Sequence, residues 1–230
     1  MAAPVGHIIC ALALLNSGTL KVADNQAFFA GTLFPDIRYI TSIERKATHQ
    51  LRESNLSYVI KADSAFEIGR RFHVFVDHKR EEFMREKGAY RFVENGPYST
   101  QMLKMVEDNI LFPRLKGRFE AGHIFDKIYP QERAYKIDDK ALSAWHKILT
   151  SYLDTTRWFD MTRYYHAIQA YKEAFGVPDR LFKDFWTSTK TIASLLYAYI
   201  QIERLSRNEK LRAIVLDFYE NKITELTSKP

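Results

Sequence analysis

Cysteine is almost absent from this 230-residue chain, with Cys10 standing alone. One cysteine cannot close an intrachain bridge, so a disulfide framework is excluded and the fold has to be held by burial of apolar surface. Glycine and proline are scarce too, at 9 and 7 residues, which argues against linkers and low-complexity tracts and for long regular elements with short punctuation. No run of eighteen apolar residues occurs, so no segment reads as a transmembrane span. The opening MAAPVGHIICALALL lacks a basic n-region and carries His7 near the front of its apolar run. It reads as a buried first helix beginning near Pro4 rather than a leader, and a cytoplasmic location is the expectation. A polybasic tail is also missing: the net charge of +6 arises from Lys and Arg interspersed with Asp and Glu. That pattern implies a mild preference for anions and only a weak case for nucleic acid.

What is present is apolar residues at 46%, with 13 Tyr and 16 Phe, enough for a sizeable core in a single domain spanning 1–230. Apolar positions recur at three and four residues almost throughout, and sustained strict alternation is absent, so the fold class is all-α. One helix is expected from Pro4 to Leu15 and another from about Ala23 to Leu33, stopped by Pro35. A polar, irregular stretch follows from Asp36 to about Ser57, then a long helix from about Ala62 to Lys87, closed by Gly88. Ser99 or Thr100 can cap a helix bearing Met102, Met105, Val106, Ile110 and Leu111. Asp138 and Asp139 open one bearing Leu142, Trp145, Ile148 and Leu149. Thr155 or Thr156 can cap a further helix ended by Gly176 and Pro178. The last two carry Ile192, Leu195, Tyr199 and Ile202, then Leu211, Ile214, Val215 and Phe218. Those stripes are core or faces for self-association into a homo-oligomer. A soft division near residue 130 separates a half rich in candidate site residues (1–130) from a packing half (131–230).

The stretch RRFHVFVDHKRE places His73 and Asp77 four residues apart, hence on one helical face, with only Ala65 and Gly69 on the preceding turns. An imidazole and a carboxylate so arranged suit a metal ion or an ordinary hydrogen bond. His7, Asp36 and His49 supply further ligand types from other elements, and a hydrolytic zinc site needs a few such ligands and an open position. His78 points about a hundred degrees away from Asp77. His123 and Asp126, spaced by three, form another candidate pair. His146 and His166 read as structural. Arg38, and Tyr39 beside it, are candidates for holding a phosphate, whereas Arg70 and Arg71 are expected to pair with carboxylates such as Glu44, Glu67 or Glu81. Trp158, Trp186, Tyr164, Tyr165 and Phe182 read as core filling.

The segments PVGHIICALALL, AGTLFPDIRYI, ATHQ and IGRRFHVFVDH, in that order, resemble the zinc-dependent phospholipase C family, which shares an all-α architecture with zinc-dependent nucleases. The resemblance covers about residues 4 to 80, with C-terminal helices beyond it. It implies a multi-helix bundle of that type, with His7, Asp36, His49, His73 and Asp77 as metal ligands and one or two zinc ions as cofactor, or another divalent transition metal. Asp36 is in addition the implied general base. Arg38 and Tyr39 remain candidates for substrate binding, and the implied substrate is a phosphodiester, a phospholipid or a relative. The ligand set of a further ion, additional His residues and a Glu after the H-x-x-x-D helix, has no clear equivalent. Two other expectations stand beside this one: a nuclease or nucleotide phosphoesterase on the same site, and a noncatalytic helical interaction protein with a degenerate metal site. A phosphohydrolase built on a His-Asp dipeptide is disfavoured, because the chain has only the reverse order, Asp77-His78.

Overall fold

Glycine decides how the first helices pack. The computed structural model describes residues 3–93, 99–154 and 189–228, and among them every regular element is helical. Helix α1 spans Pro4–Asn16, α2 Asn25–Leu33 and α5 Ala65–Glu86. Where α2 crosses α5, a Cβ on Gly31 would lie 2.0 Å from the Phe66 carbonyl oxygen, and one on Gly69 would lie 2.1 Å from that of Phe28. Any side chain at either position would push the two backbones apart, so this reciprocal pair sets the closeness of the crossing. The expected helix starts shift because caps decide them: Asp24 accepts from the Ala27 amide at 2.9 Å, and Ser64 accepts from that of Glu67 at 3.2 Å. The helices therefore begin at Asn25 and Ala65 rather than at Ala23 and Ala62.

The stretch from 36 to 57, expected to be irregular, is partly helical. Pro35 ends the α-helical hydrogen bonding of α2, but it is compatible with the first turn of the 3₁₀ helix Phe34–Tyr39 that continues the chain. Two short helices follow, α3 (Arg45–Thr48) and α4 (Leu56–Ile60), the latter capped by Asn55. The polar residues of α3, Arg45 and Lys46, reflect exposure rather than lack of structure, whereas α4 buries Leu56 and Val59.

Four longer elements complete the described part: α6 (Ser99–Leu111), α8 (Asp139–Leu153), α9 (Thr189–Ser206) and α10 (Glu209–Leu216), with the single turn α7 (Pro130–Arg133) ahead of α8. Helix α10 runs through a π-helical turn at Asp217–Lys222 into α11 (Ile223–Ser228). One apolar cluster extends from Val5 to Ile223 and includes the inner faces of α1, α2, α5, α6 and α8. No helix among the described residues is long and apolar enough to cross a membrane. The helix expected after Thr155 or Thr156 and ended by Gly176 and Pro178, together with His166, Trp158, Tyr164, Tyr165, Phe182 and Trp186, lies outside the described residues, as do the side chains of Ile192 and Leu195.

Candidate metal centre

The close crossing of α2 and α5 brings the first third of the chain to one buried point. His73 and Asp77 stand on the α5 face that meets α2, and the His73 Nδ1–H donates to the Thr32 carbonyl in the last turn of α2 at 2.8 Å. That bond fixes the tautomer and leaves Nε2 as a lone pair. Asp36 comes from the 3₁₀ turn directly after α2, and His49 follows α3. The Thr48 hydroxyl has one proton. With that proton donated to the Pro35 carbonyl at 3.1 Å, Thr48 Oγ1 accepts from His49 Nδ1 at 2.9 Å, and His49 Nε2 is likewise left as a lone pair. His7 arrives from α1, whose first amides are held by the buried Asp108 carboxylate: the Val5 and Gly6 N–H groups donate to it at 3.3 and 3.1 Å. The Tyr152 hydroxyl donates to the same carboxylate at 2.8 Å.

All five predicted ligands therefore meet. His7 Nε2 is 3.3 Å from Asp77 Oδ1, while His73 Nε2 and His49 Nε2 are 3.6 and 3.8 Å from Asp77 Oδ2. The donor atoms of His7, His73 and Asp77 lie within 4.8 Å of one another, and so do those of Asp36, His49 and His73. The His7 and His73 rings stack at 3.8 Å with 14° between their planes. His7, Asp36, His73 and Asp77 are buried, and only 3% of the His49 side chain is exposed.

Two observations test whether a cation suits these residues. First, His49 Nε2, His73 Nε2, both nitrogens of His7 and Asp36 Oδ1 are buried without a hydrogen-bond partner. Such atoms cost free energy unless something else satisfies them. Second, ligands about 2.1 Å from a tetrahedral zinc are about 3.4 Å apart, close to the separations observed around Asp77. Protonation agrees with both. Burial keeps the imidazoles neutral, lowering His7, taking His49 down to about 3 and His73 to about 4. Burial opposes ionisation of Asp77, but the positive charge that the adjacent His73 and His7 take on once acid protonates them outweighs it and holds the carboxyl well below its usual range. Neutral imidazoles beside an ionised carboxylate form the ligand state that a divalent metal needs.

A cationic rim surrounds the cluster. Arg45 is half exposed, yet its Nη2 lies 3.9 Å from Asp77 Oδ2, so this one side chain reaches from solvent to the cluster. Arg38 Nε is 3.9 Å from Asp36 Oδ1, its Nη2 donates to the Tyr39 hydroxyl at 2.8 Å, and its guanidinium lies over the Tyr39 ring. Lys104 is buried on α6 and points its Nζ at Tyr39 Oη, 3.4 Å away. Its charge adds to the lowering of His7. The sequence reading missed Arg45, Lys104 and Asp108. The signal for the last two was a pair of charged residues set among Leu103, Val106, Ile110 and Leu111 on the inner side of α6.

Other candidates stay apart. His123 and Asp126 form a 3.6 Å pair on the surface, 79% and 70% exposed, outside both donor groups. His78 turns to Ser54 Oγ. His146 is buried against Glu132 Oε1 at 2.8 Å, in a structural role. Arg70 and Arg71 pair with Glu67, as expected. No protein-family model, curated protein or solved structure matches this chain, so any functional reading rests on the residues and their geometry.

Proposed function

We propose that this protein is a metal-dependent phosphoesterase of the zinc-dependent phospholipase C type, hydrolysing a phosphodiester to a phosphomonoester and an alcohol. The carrying observation is the convergence of three neutral imidazoles and two carboxylates from four separate elements, with ring nitrogens left unsatisfied at the meeting point. His7, His49, His73 and Asp77 would hold the ion, with Asp36 as a further ligand. Bound zinc supplies a Lewis acid for the phosphoryl oxygens and lowers the pKa of water toward neutrality.

The chain's own groups do the rest. Asp36 Oδ1, buried and without a hydrogen-bond partner, is suited to accept the proton of the attacking water. Arg38 and Arg45, each 3.9 Å from a cluster carboxylate, can orient the nonbridging phosphate oxygens through their donor forks. Thr32 and Thr48 hold two of the rings in register. Burial of His7, Asp36, His73 and Asp77 limits the access of bulk water to the cluster, which strengthens each of these interactions.

The test combines metal analysis with turnover. Protein supplied with zinc is expected to retain it and to hydrolyse bis(p-nitrophenyl) phosphate, with His73→Ala and Asp77→Ala losing both properties. Phosphatidylcholine and single-stranded DNA assayed alongside separate a lipase from a nuclease. Wild-type protein that binds no divalent ion would end the proposal. Bound zinc without hydrolysis of any phosphoester would favour the noncatalytic reading.

A further inference from the structure

Beside the cluster lies a cleft of about 670 Å³ whose wall includes Lys46, His49, Arg52, Tyr58, Glu67, Arg70 and Arg71. His49 belongs to both, so the cleft adjoins the candidate metal centre. Its volume suits a small molecule rather than a macromolecular surface. Four cations face one carboxylate in it, and that carboxylate is already engaged: Arg70 donates to both Glu67 oxygens at 2.7 and 2.6 Å, and Arg71 Nε donates to Oε1 at 3.1 Å.

The cations are not equivalent. Arg70 spends Nη1 on the Thr48 and Gln50 carbonyls, at 2.7 and 3.1 Å, and so braces the backbone on either side of His49. Arg71 uses Nη1 on the Tyr58 carbonyl, and its guanidinium rests 4.7 Å from the centre of the Tyr58 ring. Its Nη2 has no partner among the described residues, and neither does the exposed Arg52. Lys46 pairs only with Glu44, both largely exposed. Two guanidinium groups and an ammonium are therefore left presenting donors to the cleft. A fork of this kind is matched by phosphate oxygens and repels a quaternary ammonium headgroup.

We infer that the cleft is a second anion subsite, and that the substrate is a small phosphodiester carrying a further phosphate held by Arg52, Arg71 and Lys46 while the scissile ester lies at the His/Asp cluster. This rests on the hydrolase reading above and adds the substrate class to it.

A matched pair of probes tests it: the p-nitrophenyl ester of thymidine 5′-phosphate and the same ester bearing a 3′-phosphate. With zinc-loaded protein the phosphorylated ester is expected to have a kcat/KM at least about tenfold higher, a modest return for charge-assisted hydrogen bonds to a second phosphate. The advantage should reside in KM and shrink with added salt. The double variant Lys46→Gln/Arg52→Gln, altered only at exposed positions, should bring the ratio of the two kcat/KM values toward one. Equal values in the wild type, or an unchanged ratio in the double variant, would overturn the subsite and leave the hydrolase reading standing. Hydrolysis of neither ester, with bis(p-nitrophenyl) phosphate and phosphatidylcholine also left intact, would remove that reading instead, and calorimetry on the metal-free protein then decides the cleft. Thymidine 3′,5′-bisphosphate bound at least about tenfold more tightly than thymidine 5′-monophosphate, with the gain lost in the double variant, sustains it. Equal affinities overturn it.

Discussion

Helix α5 carries two buried polar clusters one turn apart, and they are built on opposite terms. Around Arg80 every strong donor is spoken for. Its guanidinium pairs in two places with Glu107, Nε bonding Oε2 at 3.1 Å, while Nη1 donates to Glu81 and to the Tyr90 hydroxyl. Tyr219, from the π-helical turn, donates to Glu107 at 2.8 Å. Around Asp77, three residues earlier, the imidazole nitrogens facing the carboxylates lack hydrogen bonds altogether. Both clusters are shielded from water, so the difference is not one of exposure. A satisfied network ties α5 to α6 and to the C-terminal helix, whereas an unsatisfied one leaves lone pairs to a ligand.

The contrast can be broken most severely at its structural end. Arg80→Ala strands the Glu107 carboxylate in the core and should cost about 3–5 kcal/mol, read by equilibrium denaturation. A loss below 1 kcal/mol would mean that the network is not the fastening described.

At the other end, zinc at a thousandfold excess over its dissociation constant should raise the unfolding free energy of the wild type by about 4 kcal/mol. Asp77→Asn should weaken zinc binding by at least about a hundredfold, and titration against a competing chelator measures this. Undiminished affinity in that variant would place the metal somewhere else.

Acidification of the metal-free protein should be destabilising between about pH 6.5 and pH 4. His7, His49 and His73 are held neutral in the fold, below their ordinary value of 6.5, so the unfolded chain takes up protons that the native state refuses. Their contribution is fully present above pH 6.5 and is lost as pH falls. Asp108 acts in the opposite sense: burial pushes it up to about 7, so the native state carries its proton while the unfolded chain, at 3.8, does not. Three imidazoles against one carboxyl leave a net loss, and Asp108→Asn should steepen it. Denaturant midpoints measured across that range test the sign.

The smallest effect belongs to His123→Ala. His123 and Asp126 have helical ligand spacing but stand in solvent, so stability should change by no more than about 0.5 kcal/mol and zinc stoichiometry not at all.

These contrasts also mark what was legible in the sequence. His73 and Asp77 could be paired by eye because helical geometry acts over four residues. The buried ends of Arg45 and Lys104 could not, since an Arg in a polar stretch and a Lys near a helix start look like ordinary surface residues. Nor could Thr32 and Thr48 be seen as holding imidazole rings, because each acts through an oxygen that any residue or any hydroxyl could offer. The shared crossing glycines, Gly31 and Gly69, were visible only as small residues.

Composition and period alone determined that the described residues are helical, roughly where the longer helices among them start and stop, and which imidazoles and carboxylates were eligible as ligands. Those properties follow from forces acting within a turn or two of the backbone. Only the tertiary structure decided that α1, the turn after α2, the end of α3 and α5 meet at one point, that His123 and Asp126 do not join them, and that a basic cleft adjoins His49. Such choices depend on how closely two backbones can approach and on what each buried polar atom finds there, and no local pattern encodes either.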